Sequence, residues 1–352
     1  MAYTTIDDPS AHFQTVLYTG NGSDGYSITN DGNSDLQPDW LWFKNRNDTQ
    51  VHQLFDTNRG IAKALRSNAT TVENTDDPND RLTAINSDGF SLGDDGNPNN
   101  GSNTYVCWQW KANGGTTSSN SDGDITSTVQ ANTTAGFSIV TYTGNGNDGD
   151  TVGHGLSGNW DVCILKNRGQ TDYWTVSQTG TNQVMLLHDG SGGYEANHST
   201  AYMTKASGVI GLVNAGDLGM VNGSSETYVA YVFKEIQGYS KFGSYTGNGS
   251  SDGPFVYTGF KPAFVIYRRN DAGGNWRLLD NKRNTSNPMS KEIYADLENA
   301  EATDAQMDFL SNGFKLRNNA LGQNANGSDF FYMAFAEHPF VSSKGVPTTA
   351  MI

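Results

Sequence analysis

Tyr18-Thr19-Gly20-Asn21-Gly22 returns as Tyr142-Thr143-Gly144-Asn145-Gly146 and again as Tyr245-Thr246-Gly247-Asn248-Gly249. An Asp-Gly follows each time, at Asp24-Gly25, Asp148-Gly149 and Asp252-Gly253. A second phrase closes each unit: Thr104-Tyr105-Val106-Cys107-Trp108, Thr227-Tyr228-Val229-Ala230-Tyr231 and Phe331-Tyr332-Met333-Ala334-Phe335. Tyr105 lies 87 residues after Tyr18, Tyr228 lies 86 after Tyr142, and Tyr332 lies 87 after Tyr245. Three near-equal spans make the chain a tandem array of one unit.

Landmarks between the two phrases agree. An apolar run ending in a basic cluster appears at Trp40–Arg46, Cys163–Arg168 and Phe264–Asn270. A short strand-like run follows, and repeats one and three continue it with Asp56-Thr57-Asn58-Arg59 and Asp280-Asn281-Lys282-Arg283. Repeat two has Ser177-Gln178-Thr179-Gly180 there and has drifted furthest. The divisions are an N-terminal arm over 1–10, repeat one over 11–112, a linker over 113–134, repeat two over 135–237, repeat three over 238–340, and a C-terminal tail over 341–352. The long first linker and the very short second one predict that repeats two and three are the more rigidly coupled pair.

Within a repeat, runs of four to eight residues rich in Val, Ile, Thr and aromatics alternate with turn signals. Sixteen Asn-Gly or Asp-Gly dipeptides mark hairpin turns, because Asn, Asp and Gly tolerate positive φ. Helical periodicity is confined to short candidates at Ile61–Arg66 and Ala300–Leu310. The expected fold is all-β, three tandem antiparallel β-sandwiches of about 100 residues each, with a barrel or β-prism as the alternative.

The 352 residues include 41 Gly, 11% aromatic residues and 37 acidic against 22 basic side chains, a net charge of −15. Aromatics at this density can bury a core. The acidity counts against nucleic-acid and membrane-surface binding. No stretch has the roughly 20 apolar residues of a membrane span, and MAYTTIDDPSAHF shows no secretory signal. Cys107 and Cys163 lie in strand-like runs and read as buried thiols.

Catalytic chemistry is hard to find. His12, His52, His154, His188, His198 and His338 form no metal-ligand spacing. The acidic pairs Asp76-Asp77 and Asp94-Asp95 read as solvated loops rather than the carboxylates of a glycosidase. Asp56 with Arg59 and Asp280 with Arg283 read as structural ion pairs bracing a turn. The opening loops offer clustered oxygens for Ca²⁺ at Asn21 and Asp24, Asn145 and Asp148, and Asn248 and Asp252, although a bare turn needs the same residues. Trp40 with Trp42, and Trp108 with Trp110, share strand faces and read as core. Trp174, Trp276 and Tyr173 flank polar loops and are the candidates for a sugar-stacking surface.

Taken together, the repeated Tyr-Thr-Gly-Asn-Gly, Pro38-Asp39-Trp40 with its Lys-Asn-Arg strand, the Asp-x-x-Arg turn and the closing Thr-Tyr-Val-Ala-Tyr resemble a family of marine bacteriophage proteins. These are labelled tail-fibre-like or virion structural proteins, with a SPRY- or lectin-like module. The start, MAYTTIDDPS, and Gly238–Phe260 are similar to that family over long stretches. The resemblance implies a virion component assembled in the host cytoplasm, with no catalytic residues to carry over. It implies as partners other phage tail or capsid proteins, a host surface glycan, and further copies in a homo-oligomer, with a trimer one form. The leading expectation is a non-enzymatic tail-fibre-type protein in host attachment. The alternatives are a capsid-decorating or head-fibre protein, docking through Asp7-Asp8-Pro9 and a free C-terminal tail, and a polysaccharide depolymerase.

Overall fold

The computed structural model describes residues 2–75, 81–94, 96–178, 184–188, 202–272, 274–304 and 306–348. The chain is all-β, and its sheets are antiparallel. Each repeat builds a larger sheet with four strands in the spatial order opening, closing, inner, outer. In repeat one these are Phe13–Thr19, Thr104–Trp110, Trp40–Asn45 and Gln53–Asp56. In repeat two they are Phe137–Thr143, Thr227–Phe233, Val162–Asn167 and Trp174–Gln178, extended by Val184–His188 beyond the outer strand. In repeat three they are Ser240–Thr246, Asp329–Pro339, Phe260–Arg269 and Arg277–Asp280, followed by Ile293–Tyr294. A three-stranded sheet accompanies each, built on Gly89–Leu92, Val209–Leu212 and Gly313–Leu316 as central strands.

The larger sheets are covered on both faces. One side of each strand packs into a cluster within its own repeat, such as Leu41, Phe43, Tyr105 and Cys107 against Phe90 and Leu92. The opposite side enters a single cluster shared by all three repeats, containing Trp40, Trp42, Trp108 and Trp110, then Ile164, Trp174, Tyr231 and Phe233, then Phe264, Trp276, Met333 and Phe335. Trp40 stacks on Tyr231 of repeat two with ring centroids 4.2 Å apart, and Phe13 on Phe335 of repeat three at 5.4 Å. Each side chain buried this way contributes roughly 2–3 kcal/mol, so the repeats stabilise one another as much as themselves.

Several expectations change. The linker 113–134, whose Asp124–Val129 alternates as an extended strand does, supplies two strands, Ser118–Asn120 and Ser127–Asn132, added to repeat two beside its opening strand. Repeats two and three are not the only tight pair, because repeat one shares the same core. In repeat three the residue opposite Tyr245 is Phe330, as Tyr105 is opposite Tyr18 and Tyr228 opposite Tyr142. The closing phrase is therefore displaced by two residues from the match at Tyr332. A two-residue slip preserves the faces, which is why the pattern still reads correctly. Neither helix candidate forms: Ala64 and Leu65 make strand bridges to Asn74 and Leu54, and Met307–Leu310 is a strand.

Candidate functional site

The seams between repeats carry most of the buried polar chemistry. His52, Trp174 and Trp276 occupy equivalent places at the start of the outer strand. Trp174 Nε1 donates to Arg66 O of repeat one at 2.9 Å, Trp276 Nε1 to Leu186 O of repeat two at 2.9 Å, and His52 Nε2 meets Tyr294 O of repeat three at 2.9 Å. The three bonds run head to tail and close a ring. At His52 the Nδ1 accepts from Trp42 Nε1 at 2.8 Å, so Nε2 carries the proton. Burial pushes His52 well below the usual imidazole range.

The Asp–Arg pairs sit at two of these seams. Arg59 Nε donates to Asp56 Oδ2, which also accepts from Tyr231 Oη of repeat two at 2.8 Å. Arg283 Nε donates to Asp280 Oδ2 at 2.6 Å, and that oxygen accepts from Trp108 Nε1 of repeat one at 3.0 Å. Burial alone would depress Arg59, but the adjacent Asp56 carboxylate holds it above its ordinary value. Glu73 then joins Arg59 at 2.9 Å to Arg168 of repeat two at 2.8 Å. Glu301 joins Arg283 at 3.4 Å to Arg46 of repeat one at 2.9 Å. At the third seam Gln178 replaces the Asp, Met333 the donor ring and Asn270 the receiving Arg. All three of these positions are uncharged at this seam.

The opening loops explain their own sequence. Asn99, Asn222 and Asn324, all buried, each accept from the loop Asn N–H, at 2.9, 3.0 and 2.8 Å from Asn21, Asn145 and Asn248. Each returns a bond from Nδ2 to that residue's Oδ1, at 3.3, 3.0 and 3.0 Å. A Cβ on Gly20, Gly144 or Gly247 would lie 2.2–2.3 Å from a backbone carbonyl oxygen, so only glycine fits. The loop oxygens offered for Ca²⁺ have protein partners: Asp24 accepts from Gly25 N, Asp148 from Asn214 N, and Asp252 pairs with Lys315 at 2.9 Å. The repeat thus has a structural account that needs no cation.

The sugar-stacking candidates are displaced. Trp174 and Trp276 are 0% and 2% exposed and present no ring face to solvent, because the outer strand turns them into the shared core. Tyr173 is half-buried against the core of repeat two. Among the described residues the exposed aromatic side chains are instead Phe255 and Tyr257, 44% and 54% accessible, on one face of the edge strand Phe255–Tyr257. Tyr3 Oη lies 3.3 Å from Tyr257 Oη and donates to Gly259 O at 2.8 Å, holding the N-terminal arm beside them. The register places Ser27 and Thr151 where repeat three has Phe255, so sequence comparison between repeats could have found this platform.

A family profile described as "Domain of unknown function (DUF7483)" matches residues 8–339. The chain belongs to this family. Searches of curated proteins and of solved structures return no match. The DUF7483 match runs through all three repeats and stops beside the C-terminal segment, so the ring as a whole corresponds to the family's unit. Of the remaining expected positions, Asp76, Asp77, Asp95 and His198 lie outside the described residues. The C-terminal segment, expected to be free, is tied to the arm: Ser343 N donates to Asp7 Oδ1 at 2.6 Å.

Proposed function

We propose that this DUF7483 chain is a non-enzymatic bacteriophage virion surface protein of tail-fibre type that attaches to a host cell-surface glycan, and that its three repeats are β-sandwich modules closed into a ring. The platform formed by Phe255 and Tyr257 is the observation that supports attachment. Two rings exposed side by side on a short edge strand offer flat apolar faces for sugar C–H groups, while Lys315 and Asp252 beside them supply polar contacts. Repeat three alone carries the aromatics, which makes one contact surface per chain.

The test is binding of the whole protein to purified host envelope polysaccharide. Phe255→Ala with Tyr257→Ala is expected to weaken binding by about tenfold or more while the protein stays folded, with only a small drop in thermal stability from the lost Tyr3 contact, because both side chains lie outside the core clusters. Equal binding by wild type and the double variant would overturn the reading. So would a virion density map placing the chain over capsid symmetry axes with this face against the shell, which would make it a decoration protein.

A further inference from the structure

The seam between repeats one and two shows how the opening strand of a repeat is covered. Gly144 N donates to Glu226 O and Lys234 N to Gly136 O, so the even-numbered residues of Phe137–Thr143 face the closing strand and the odd ones face outward. Ser127–Asn132 meets that outward edge, with Gln130 opposite Ile139 and Thr128 opposite Thr141. The turn after Asp56 then grips the added strand. Thr57 Oγ1 donates to Gln130 Oε1 at 2.9 Å, and Asn58 Nδ2 to Thr128 O at 3.1 Å.

At the seam between repeats three and one the same parts are present without that strand. Gly20 N donates to Asn103 O and Lys111 N to His12 O, so Phe13, Thr15, Leu17 and Thr19 turn their backbone groups outward. The opening strand is the edge of its sheet. Asn281 and Lys282 stand where Thr57 and Asn58 stand, and Lys282 reaches Asp31 at 2.8 Å instead. Between them lies a cleft of about 190 Å³ lined by Phe13, Thr15, Asp31, Ala263, Asn281 and His338. Thr15, the counterpart of Ile139, is 4% exposed, and its Oγ1 has no hydrogen-bond partner.

We infer that the open edge of Phe13–Thr19 takes up an extended strand of another polypeptide, antiparallel to it, with an amide side chain opposite Thr15 seated in this cleft. The backbone of the incoming strand pairs with Thr15, Leu17 and Thr19, and its amide reaches Thr15 Oγ1 and Asn281. The occupant is a peptide strand rather than a small molecule because the chain already fills the equivalent place in the next seam with one.

The probe is a capped peptide of residues 125–133, Ile-Thr-Ser-Thr-Val-Gln-Ala-Asn-Thr, titrated into the full-length protein and followed by amide exchange and chemical shifts. Expected are saturable binding and slowed exchange at Thr15, Leu17 and Thr19. Binding should weaken by about fivefold or more when the peptide Gln becomes Ala, and likewise for Asn281→Ala or Thr15→Val in the protein. No binding at about 2 mM peptide would overturn the proposal. Protection confined to Phe137–Thr143 would overturn it as well, since the peptide would then be replacing the chain's own strand. Equal affinity of the Gln→Ala peptide, or a hexose occupying the cleft where the peptide does not, would have the same consequence.

Discussion

Asp296 sits where repeat one carries Asn68, and the difference can be measured. Asn68 Oδ1 accepts from His52 N at 2.9 Å, and Asp296 Oδ1 accepts from Trp276 N at 3.0 Å. The two side chains do the same work, but one of them ionises. Burial pushes Asp296 up from 3.8 to about 7, against the opposing pull of backbone N–H groups, Arg268 and Arg277. A folded-state carboxyl with a raised pKa binds its proton more tightly than the unfolded chain does. Its contribution is therefore greatest at low pH and is lost as pH rises from about 4 to about 7. At about 1.4 kcal/mol per unit, the loss amounts to about 4 kcal/mol by pH 8, more than half of it between pH 5 and pH 8. Asp296→Asn removes the titration and keeps the acceptor. Urea unfolding followed by tryptophan fluorescence, at pH 5 and pH 8, gives the stability difference between variant and wild type. All other titrating groups cancel in that difference. It should shift in favour of the variant by about 2–3 kcal/mol between the two pH values. A difference independent of pH would refute the assignment of a protonated Asp296.

Four further outcomes are expected. Tyr231→Phe should destabilise the protein by about 1–3 kcal/mol by removing a buried donor from Asp56, and Trp108→Phe should act similarly at Asp280; urea midpoints check both. His52 should keep its Nε2–H tautomer in ¹⁵N spectra and stay neutral from pH 8 to pH 5, while stability falls below about pH 6.5 as the unfolded chain alone takes up the proton; an imidazolium signal at pH 6 would refute this. Gly144→Ala should cost well over 2 kcal/mol, because its Cβ meets the Gly223 carbonyl at 2.3 Å, whereas Gly149→Ala, with open space around it, should cost only about 1 kcal/mol of backbone strain. Lys44 and Lys166, with Nζ buried against Asn45 O and Asn167 O, should react with acylating reagents more slowly than exposed lysines at pH 7 because the reagent cannot reach them, even though burial draws both down to about 8 and enlarges their neutral fraction, as mass spectrometry of labelled peptides can show.

The array and the β character were legible because they are written in local signals: the turn glycines, the alternation and the recurring phrases. The ring was not, although its mark was present. Trp40-Leu41-Trp42-Phe43 has no polar alternation, and all four side chains are buried. A strand without a polar face is covered on both sides, and a free-standing repeat could cover only one. Trp174 and Trp276 misled for a related reason. Polar neighbours in sequence suggested exposure, but strand geometry aims them inward, and their shared position relative to Gln178 and Asp280 was the better guide. The loop asparagines were half legible. Asn21, Asn145 and Asn248 announced themselves, while their partners Asn99, Asn222 and Asn324 lie 76 to 78 residues away, each near an Asn-Gly-Ser at Asn100, Asn222 or Asn326 whose offset differs from repeat to repeat. Which side chains meet across a seam depends on the cyclic order of the repeats, and spacing along the chain carries no information about that order.

Closing the ring within one chain has a consequence for how such a protein can change. Three identical subunits around an axis must carry any substitution three times, so a seam that loses its charge pair loses it everywhere. Joined covalently, the seams are separate positions. Gln178 can stand where Asp56 and Asp280 stand in the other repeats, Asn270 where Arg46 and Arg168 stand, and aromatic rings can gather on the single edge strand Phe255–Tyr257. The fused ring keeps the mechanical benefit of mutual burial and gives up the requirement that its three faces remain alike.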